Sequence, residues 1–433
     1  MDTERTVVPA IRDALVAACP VVREASPEAD AIADLVPSFV AFPASTEEAS
    51  ALLRVAAAHD LVVVPRGAGT GLGWGAPPSA CDLVIDLQAM DQVLEHAAGD
   101  LVARVQAGVT TGHLAAVLAS AGQELALDVP ADATVGGVVA TGTAGPRRFR
   151  YGSPRDLLIG ITIVRADGVV AHSGGKVVKN VAGYDLGKLF SGSQGTLGLI
   201  TEATFRLHPR PAAVAWVTGD YGPSGRAGAA AAVAAAAGSA LVPSAVELAW
   251  TESPALLRVG VLLEGTASGV TERASRMSEL IASAGGTPVV AGSEVPFRWW
   301  DMVPAAGSPS TVVRVSFWLS RLADVLEALA AAGASAGLRP VVSGPAGAGA
   351  LYACLDPGTP EEDTARFVLA LRDRLSASGP EEPRGSVTVL AAPRSVMTAA
   401  GAYGPVPGAD LMRAIKDQFD PAHRMFPGRL GGS

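Results

Sequence analysis

The residues best placed to do chemistry are glycines and threonines. From Val62 to Gly75 the chain reads VVVPRGAGTGLGWG, with glycine at every second position from Gly67 to Gly75. Each glycine costs roughly 0.5–1 kcal/mol in regular structure, so close backbone approach to a ligand is the expected gain. Successive N–H groups in a tight turn form an anion-binding concavity, and Thr70 adds a hydroxyl donor. A second cluster, DVPADATVGGVVATGTAGPRRFRYG, runs from Asp128 to Gly152, and a third, GSQGTLGLITEATFRL, from Gly192 to Leu207. Three Gly/Thr-rich turns in one region point to an extended, phosphate-bearing cofactor. The dinucleotide fingerprint needs glycines at n, n+2 and n+5. Starting from Gly67, Gly69 or Gly71, the n+5 position holds Leu72, Trp74 or Ala76, so that pattern fails. No Gly-Lys-Ser/Thr follows the loop either, which removes the P-loop pattern.

Other reactive side chains are sparse. The six histidines are His59, His96, His113, His172, His208 and His423; no two are closely spaced, and none lies between Ala212 and Arg394. Cys19, Cys81 and Cys354 are far apart, so thiolate-held zinc or an iron–sulfur cluster in this chain is not expected, and no metal site is assigned. The unpaired count fits a reducing cytoplasm. Lys and Arg total 33 against 42 Asp and Glu, a net charge of -9 with no basic run, which argues against nucleic acid. Arg298 and Arg314 are candidate cations for a substrate anion. Arg314 sits among apolar strand residues, where a buried ion pair is the plainer expectation. Trp299 and Trp300 read as core or interface, His113 as a surface or capping residue, and Arg147, Arg148 and Arg150 as a solvated or partner-facing run.

These residues need a scaffold. With 49% hydrophobic and 17% charged residues, the 433-residue chain can build two or three cored domains. STEEASALLRVAAAHD reads as a helix capped at Ser45 or Thr46. LVVVP, CDLVIDL and LVARVQAGV read as strands, and TTGHLAAVLASAG as a capped helix. IGITIVRA and VVAHS flank Asp167-Gly168 as a hairpin. RLHPRPAA looks like a boundary, after which strands and helices alternate in an α/β sandwich. The Ala-rich stretch from Ala227 to Val242 reads as a buried or amphipathic helix, not a membrane span. No secretory signal is expected at the N-terminus, and no repeat of fixed short period is visible.

The order PRGAGTG, DVPADATVGG, then KNVAGYDLGKLFSGSQGTLGLITEATFRLHP resembles the vanillyl-alcohol-oxidase-like, PCMH-type flavoprotein family, and within it the FAD-binding subunits of bacterial glycolate oxidase. The resemblance implies an α+β fold: a two-part PCMH-type FAD-binding domain, an α/β sandwich cap, and a C-terminal helix and tail. The expected divisions are an N-terminal helical segment (1–36), the FAD domain (37–211), a cap for substrate or partner (212–400) and a returning tail (401–433). By resemblance, Pro65, Arg66, Gly67, Ala68, Gly69, Thr70 and Gly71 wrap the FAD pyrophosphate. Asp128, Pro130, Thr134, Val135, Gly136, Gly137, Thr141, Gly142, Thr143 and Ala144 line the adenosine and flavin path. Gln194, Gly195, Thr196, Leu197, Gly198 and Ile200 bring a strand and its turn to the cofactor. The segment with Lys176, Lys179 and Tyr184 approaches the flavin, with no proton-transfer role assigned.

Covalent flavin attachment in this fold uses His or Cys, and the first loop has no His and the second no Cys, so FAD is expected to be non-covalent. The family tail has Asn before Pro-Gly-Arg; here Phe426 replaces it. Catalytic relatives carry a His-rich HxGDGNxH-like segment in the cap, which this chain lacks. No catalytic residue is assigned. The resemblance therefore implies an FAD subunit of a 2-hydroxy-acid dehydrogenase complex, with a second FAD-binding subunit and an iron–sulfur subunit as partners. It would be cytoplasmic, with any membrane association through those partners. The alternatives are a stand-alone FAD oxidoreductase of an alcohol or hydroxy acid, or a non-catalytic flavin scaffold.

Overall fold

A computed structural model describes residues 2–176, 185–222, 224–252, 255–292, 310–376 and 385–430. Lys179, Tyr184, Arg298, Trp299 and Trp300 lie outside the described residues. The chain divides into two compact units: Met1–Thr143 with Ser153–Pro209 and Val406–Ser433, and Ala144–Gly152 with Arg210–Pro405. The expected FAD domain had included 144–152, which packs in the second unit instead. The expected tail boundary at 400/401 compares with a division at 405/406.

The first unit holds two main sheets. Strands β1 (Val22–Glu24), β2 (Phe39–Ala41), β3 (Val63–Arg66) and β4 (Leu83–Asp86) form one, in the order β1-β2-β4-β3, with β3 and β2 parallel to β4. The second comprises β5 (Val93–Ala97), β6 (Val102–Gln106), β8 (Leu158–Val164), β9 (Val170–Gly174) and β10 (Leu199–Arg206), antiparallel in the order β5-β6-β10-β8-β9. β7 (Gln123–Glu124) and β11 (His208–Pro209) pair separately. Helix Thr46–Ala58 starts where Ser45 accepts the Glu48 N–H, as its sequence requires, and buries Leu52 and Leu53. The β8–β9 hairpin turns at Gly168, whose φ of 82° only glycine holds without strain.

The second unit is one eight-stranded sheet. Its strands are β12 (Ala213–Tyr221), β13 (Ala245–Glu252), β14 (Ala255–Gly265), β15 (Thr287–Ala291), β16 (Thr311–Phe317), β17 (Val341–Gly344), β18 (Ala350–Leu355) and β19 (Gly385–Ala391). Their order is β15-β12-β14-β13-β17-β18-β16-β19. Helices Arg226–Ala237 and Ala267–Ser283 follow β12 and β14, and helices Leu322–Ala336 and Glu361–Leu375 follow β16 and β18. The unit is thus two β-α-β-β-α-β halves joined through β13 and β17. This duplication is absent from the sequence rhythm, because strand order and register are non-local. The Ala-rich stretch is helix Arg226–Ala237, whose Ala229, Ala232, Val233 and Ala236 are fully buried. Among the described residues no helix is long and apolar enough to cross a membrane.

Candidate functional site

The three glycine clusters meet in the first unit around one cleft enclosing about 720 Å³, including the open solvent at its mouth. Pro65, Arg66, Gly67, Ala68, Gly69, Thr70 and Gly71 line it from the end of β3. Thr134, Gly136, Gly137 and Thr141 line it from the second cluster, and Gln194, Gly195, Gly198 and Ile200 from the third. Asp128, Pro130, Val135, Gly142, Thr143, Ala144, Thr196 and Leu197 are not among its walls.

The first loop leaves its donors available. Among the described residues, the N–H groups of Ala68, Gly69, Thr70 and Gly71 have no acceptor, whereas the carbonyls of Gly69 and Gly71 accept from the Leu72 and Trp74 N–H groups. A peptide's C=O and N–H point oppositely, so the Thr70 N–H is turned away from the bond made by the Gly69 carbonyl. Gly69 has φ 77°, and a Cβ there would project into open space. Gly67 is required for a different reason: a Cβ would lie 2.1 Å from Thr134 Oγ1, so it is the contact point between the first and second clusters.

The second cluster is not the turn its composition suggested. Val135–Thr141 is a short helix, capped at Thr134 and ended by Gly142 at φ 66°. Its first N–H groups are already committed. Val135 donates to the Val109 carbonyl and Gly136 to that of Ala107, both at 2.8 Å, and Gly137 donates to Thr134 Oγ1. A Cβ on Gly136 would lie 2.7 Å from Ala107 Cβ, so this glycine serves close packing of the helix. The backbone N–H groups at the start of this helix are thus not offered to the cleft, which receives from the cluster a wall of small residues and the Thr134 side chain.

The loop's cations are also committed. Arg66 donates from Nε to Asp86 at 2.7 Å and from Nη2 to Asp30 at 3.1 Å. Asp30 is buried and also accepts from Arg23; that bond, helped by the Ser26 N–H and Arg66, holds its carboxyl well below the usual carboxylate range against the opposing pull of burial. Arg66, which lines the cleft, is thus held through these carboxylates.

Of the lining residues that the sequence reading did not assign to the site, two come from the tail. Leu72, Leu87, Ala107, Ala140, Phe426 and Arg429 also line the cleft. Arg429 is 2% exposed; it donates to the carbonyls of Gly71 (2.9 Å), Leu72 (3.1 Å) and Ala76 (3.3 Å) and to Gln194 Oε1 (2.8 Å). It ties the loop's carbonyls to the tail. Its signal was the Pro-Gly-Arg of the tail. Phe426 lies beneath it, with the guanidinium 4.8 Å from the ring centre. Phe426 has φ 45°, a left-handed conformation that Asn tolerates better than Phe.

The tail is held by a buried pair. Lys416 Nζ donates to Asp420 and to the carbonyls of Thr196 and Met425, both at 2.7 Å. Burial lowers the Lys416 pKa, opposed by Asp420. Arg424 then accepts from the Val63 N–H, and Phe426 donates to the Val63 carbonyl, extending the sheet beside β3.

Residues 37–174 match the FAD binding domain family. This part of the chain is an FAD-binding domain. The chain is 40% identical over 182 residues to the glycolate oxidase subunit GlcD of Bacillus subtilis (strain 168), covering 41% of this chain and 38% of that one. It is 38% identical over 181 residues to a probable mitochondrial D-lactate dehydrogenase of Danio rerio, covering 41% of this chain and 36% of that one. The matched stretch is thus well under half of each relative. The fold extends further. A crystal structure of p-cresol methylhydroxylase with substrate bound superposes with a TM-score of 0.76 at 18% identity, covering 98% of this chain and 96% of that one. The FAD-binding domain accounts for the cleft's chemistry: backbone donors suit phosphates. Its walls contain no His or Cys.

In the second unit, Arg147 lies 3.4 Å from Glu264, which also accepts from the Tyr151 hydroxyl at 2.9 Å. Arg147 is therefore part of an internal network, whereas a solvated run had been expected. Burial first, and Glu264 next, push the Tyr151 pKa up to about 12. His113 is exposed and begins a helix capped by Thr110, as expected.

Proposed function

We propose that this chain is the FAD-binding subunit of a complex that oxidises a 2-hydroxy acid to a 2-oxo acid, passing electrons to an iron–sulfur partner. FAD is held non-covalently in the first unit's cleft, and supplies a hydride acceptor when bound. Ala68–Gly71 donate N–H groups to its phosphates, and Gly136 and Gly137 keep the opposite wall flat. Gln194 and Arg429, which also line the cleft, fix the loop, with Phe426 against the guanidinium. The observation that carries the reading is the run of four unbonded N–H groups in a matched FAD-binding domain. The substrate class rests on the relatives named for glycolate and D-lactate.

The accessory role rests on histidine. None occurs between Ala212 and Arg394, and among the described residues no group of three His, Cys, Asp or Glu could hold a metal. A general base contributes about 10²–10⁴-fold in rate, and imidazole is the side chain that titrates unperturbed near neutrality. Purified alone, the chain should reduce its flavin slowly with glycolate or D-lactate in anaerobic stopped-flow, and quickly once its partners are added. Full-speed bleaching without partners would replace this reading with a stand-alone oxidoreductase. Acid precipitation should leave yellow flavin in the supernatant; flavin retained in the pellet would contradict non-covalent binding.

A further inference from the structure

The tail grips the glycine loop at both of its ends. At the near end, Val63 of β3 donates its N–H to the Arg424 carbonyl at 2.8 Å, and its carbonyl accepts from the Phe426 N–H at 2.9 Å. At the far end, Arg429 donates to the carbonyls of Gly71, Leu72 and Ala76. The N–H groups of Ala68, Gly69, Thr70 and Gly71, which have no acceptor among the described residues, lie between these two anchors. The tail also reaches the third glycine cluster, through Arg429 on Gln194 and through Lys416 on the Thr196 carbonyl. Residues 416–429 thus tie two of the three clusters to one another.

This contact holds strained backbone. Among the described residues, seven besides glycine have positive φ, and four of them belong to it. His423 (52°) and Phe426 (45°) lie in the tail. Gln194 (55°) accepts from Arg429, and Asp60 (53°) accepts from Arg424 Nε. Left-handed backbone at such residues persists only where the surroundings over-determine it, and it gathers at ligand clamps and switches. Undocking the tail removes partners that hold all four, so relief of strain offsets part of the bonding given up. Docking is then an equilibrium that a ligand on the loop can shift, by as much as its affinities for the docked and undocked forms differ.

We infer that residues 420–429 are a cofactor latch with Arg429 as its positioning residue: FAD binding and tail docking are one linked equilibrium. Phosphates on the loop's N–H groups order the segment between the two anchors, and the docked tail orders the same segment from its ends. Each therefore lowers the ordering cost of the other. Such linkage is reciprocal: the factor by which the docked tail tightens FAD is the factor by which FAD tightens docking. The inference rests on the reading that FAD lies in this cleft, and the test keeps the two apart.

The test is hydrogen exchange of the full chain, flavin-free and FAD-loaded, with FAD affinity read from flavin fluorescence. In wild type, FAD should slow exchange of the tail peptide carrying Phe426 about 10- to 100-fold, within the usual size of coupling between sites. Arg429→Met should weaken FAD by about the same factor and remove the slowing at Phe426. Arg429→Lys, which keeps the charge without the fork, should fall between. The amides of β6 are the reference in the flavin-free variants. Faster exchange at Phe426 alone supports the latch, whereas equal acceleration in β6 marks general destabilisation and overturns it. Unchanged Phe426 exchange when FAD is added to wild type, or wild-type FAD affinity in the Arg429 variants, also overturns it. The wild-type comparison decides the matter even if Arg429→Met fails to fold. FAD lost by Gly69→Val but held normally by the Arg429 variants refutes the latch alone. Normal FAD binding by Gly69→Val moves the cofactor out of this cleft and removes the latch with it.

Discussion

The two units use positive charge in opposite ways. Around the cleft of the first, arginines never face the ligand space as free groups: Arg66 is turned onto two carboxylates and Arg429 onto three carbonyls. In the proposed reading, phosphate binding there is left to backbone N–H groups. In the second unit the backbone is largely engaged in an eight-stranded sheet, and among the described residues the Arg314 Nε, the Tyr221 hydroxyl and the Ser244 hydroxyl are buried without a hydrogen-bond partner. An extended cofactor needs many weak donors and bare approach.

The comparison breaks most visibly at Gly69. Gly69→Val puts a branched side chain into the cleft at a φ that valine resists. Flavin content of the purified protein, read by absorbance, should fall to near zero while the second unit's thermal transition persists. Near-normal flavin would remove the loop from the cofactor site. Lys416→Met comes next. It leaves Asp420, fully buried, without its cation, and breaking such a pair costs about 3–5 kcal/mol. Denaturant unfolding should show that loss in the first unit and spare the second.

Acid tests the carboxylate side of the first unit. The Asp30 pKa is depressed when folded, so its contribution is complete above the unfolded value of about 3.9 and is lost as pH falls through the lower folded value. A titration of stability below about pH 4 should steepen in wild type and flatten in Asp30→Asn; identical acid limbs would contradict the assignment. The smallest effect belongs to Asp220→Asn. The Asp220–Arg258 pair is about one-third exposed, so its loss should cost under about 1 kcal/mol by denaturant unfolding. A larger loss would mean the first half of the sheet depends on its ion pair as the first unit does.

Legibility in the sequence follows from how local each signal is. The loop at Gly67–Gly71 was readable because alternating glycine has few other uses. The helix Val135–Thr141 was not, because two glycines oppose helix propensity and it is secured by Thr134 capping, the close contact with Ala107 and burial of its valines. Thr196 and Leu197 turn inward, Thr196 onto the Ser193 carbonyl, although they share a turn with Gln194. Arg429 was visible only as part of a tail motif, since its partners lie some 350 positions earlier. Arg314 stood out as a cation in an apolar strand, but its missing partner depends on register with β18 and β19. The two-fold repeat of the sheet is likewise written in pairing order, where no local rhythm records it.

The return of the tail to β3 has a consequence for biosynthesis. Val63 is bonded on both its N–H and its carbonyl by residues near position 425. A ribosome makes the whole second unit between these partners. The sheet edge beside the glycine loop, and the Arg429 clamp behind it, therefore cannot assemble until after that unit has emerged. Nascent chains stalled before position 406 would carry the glycine loop without the strand and the arginine that pack against it.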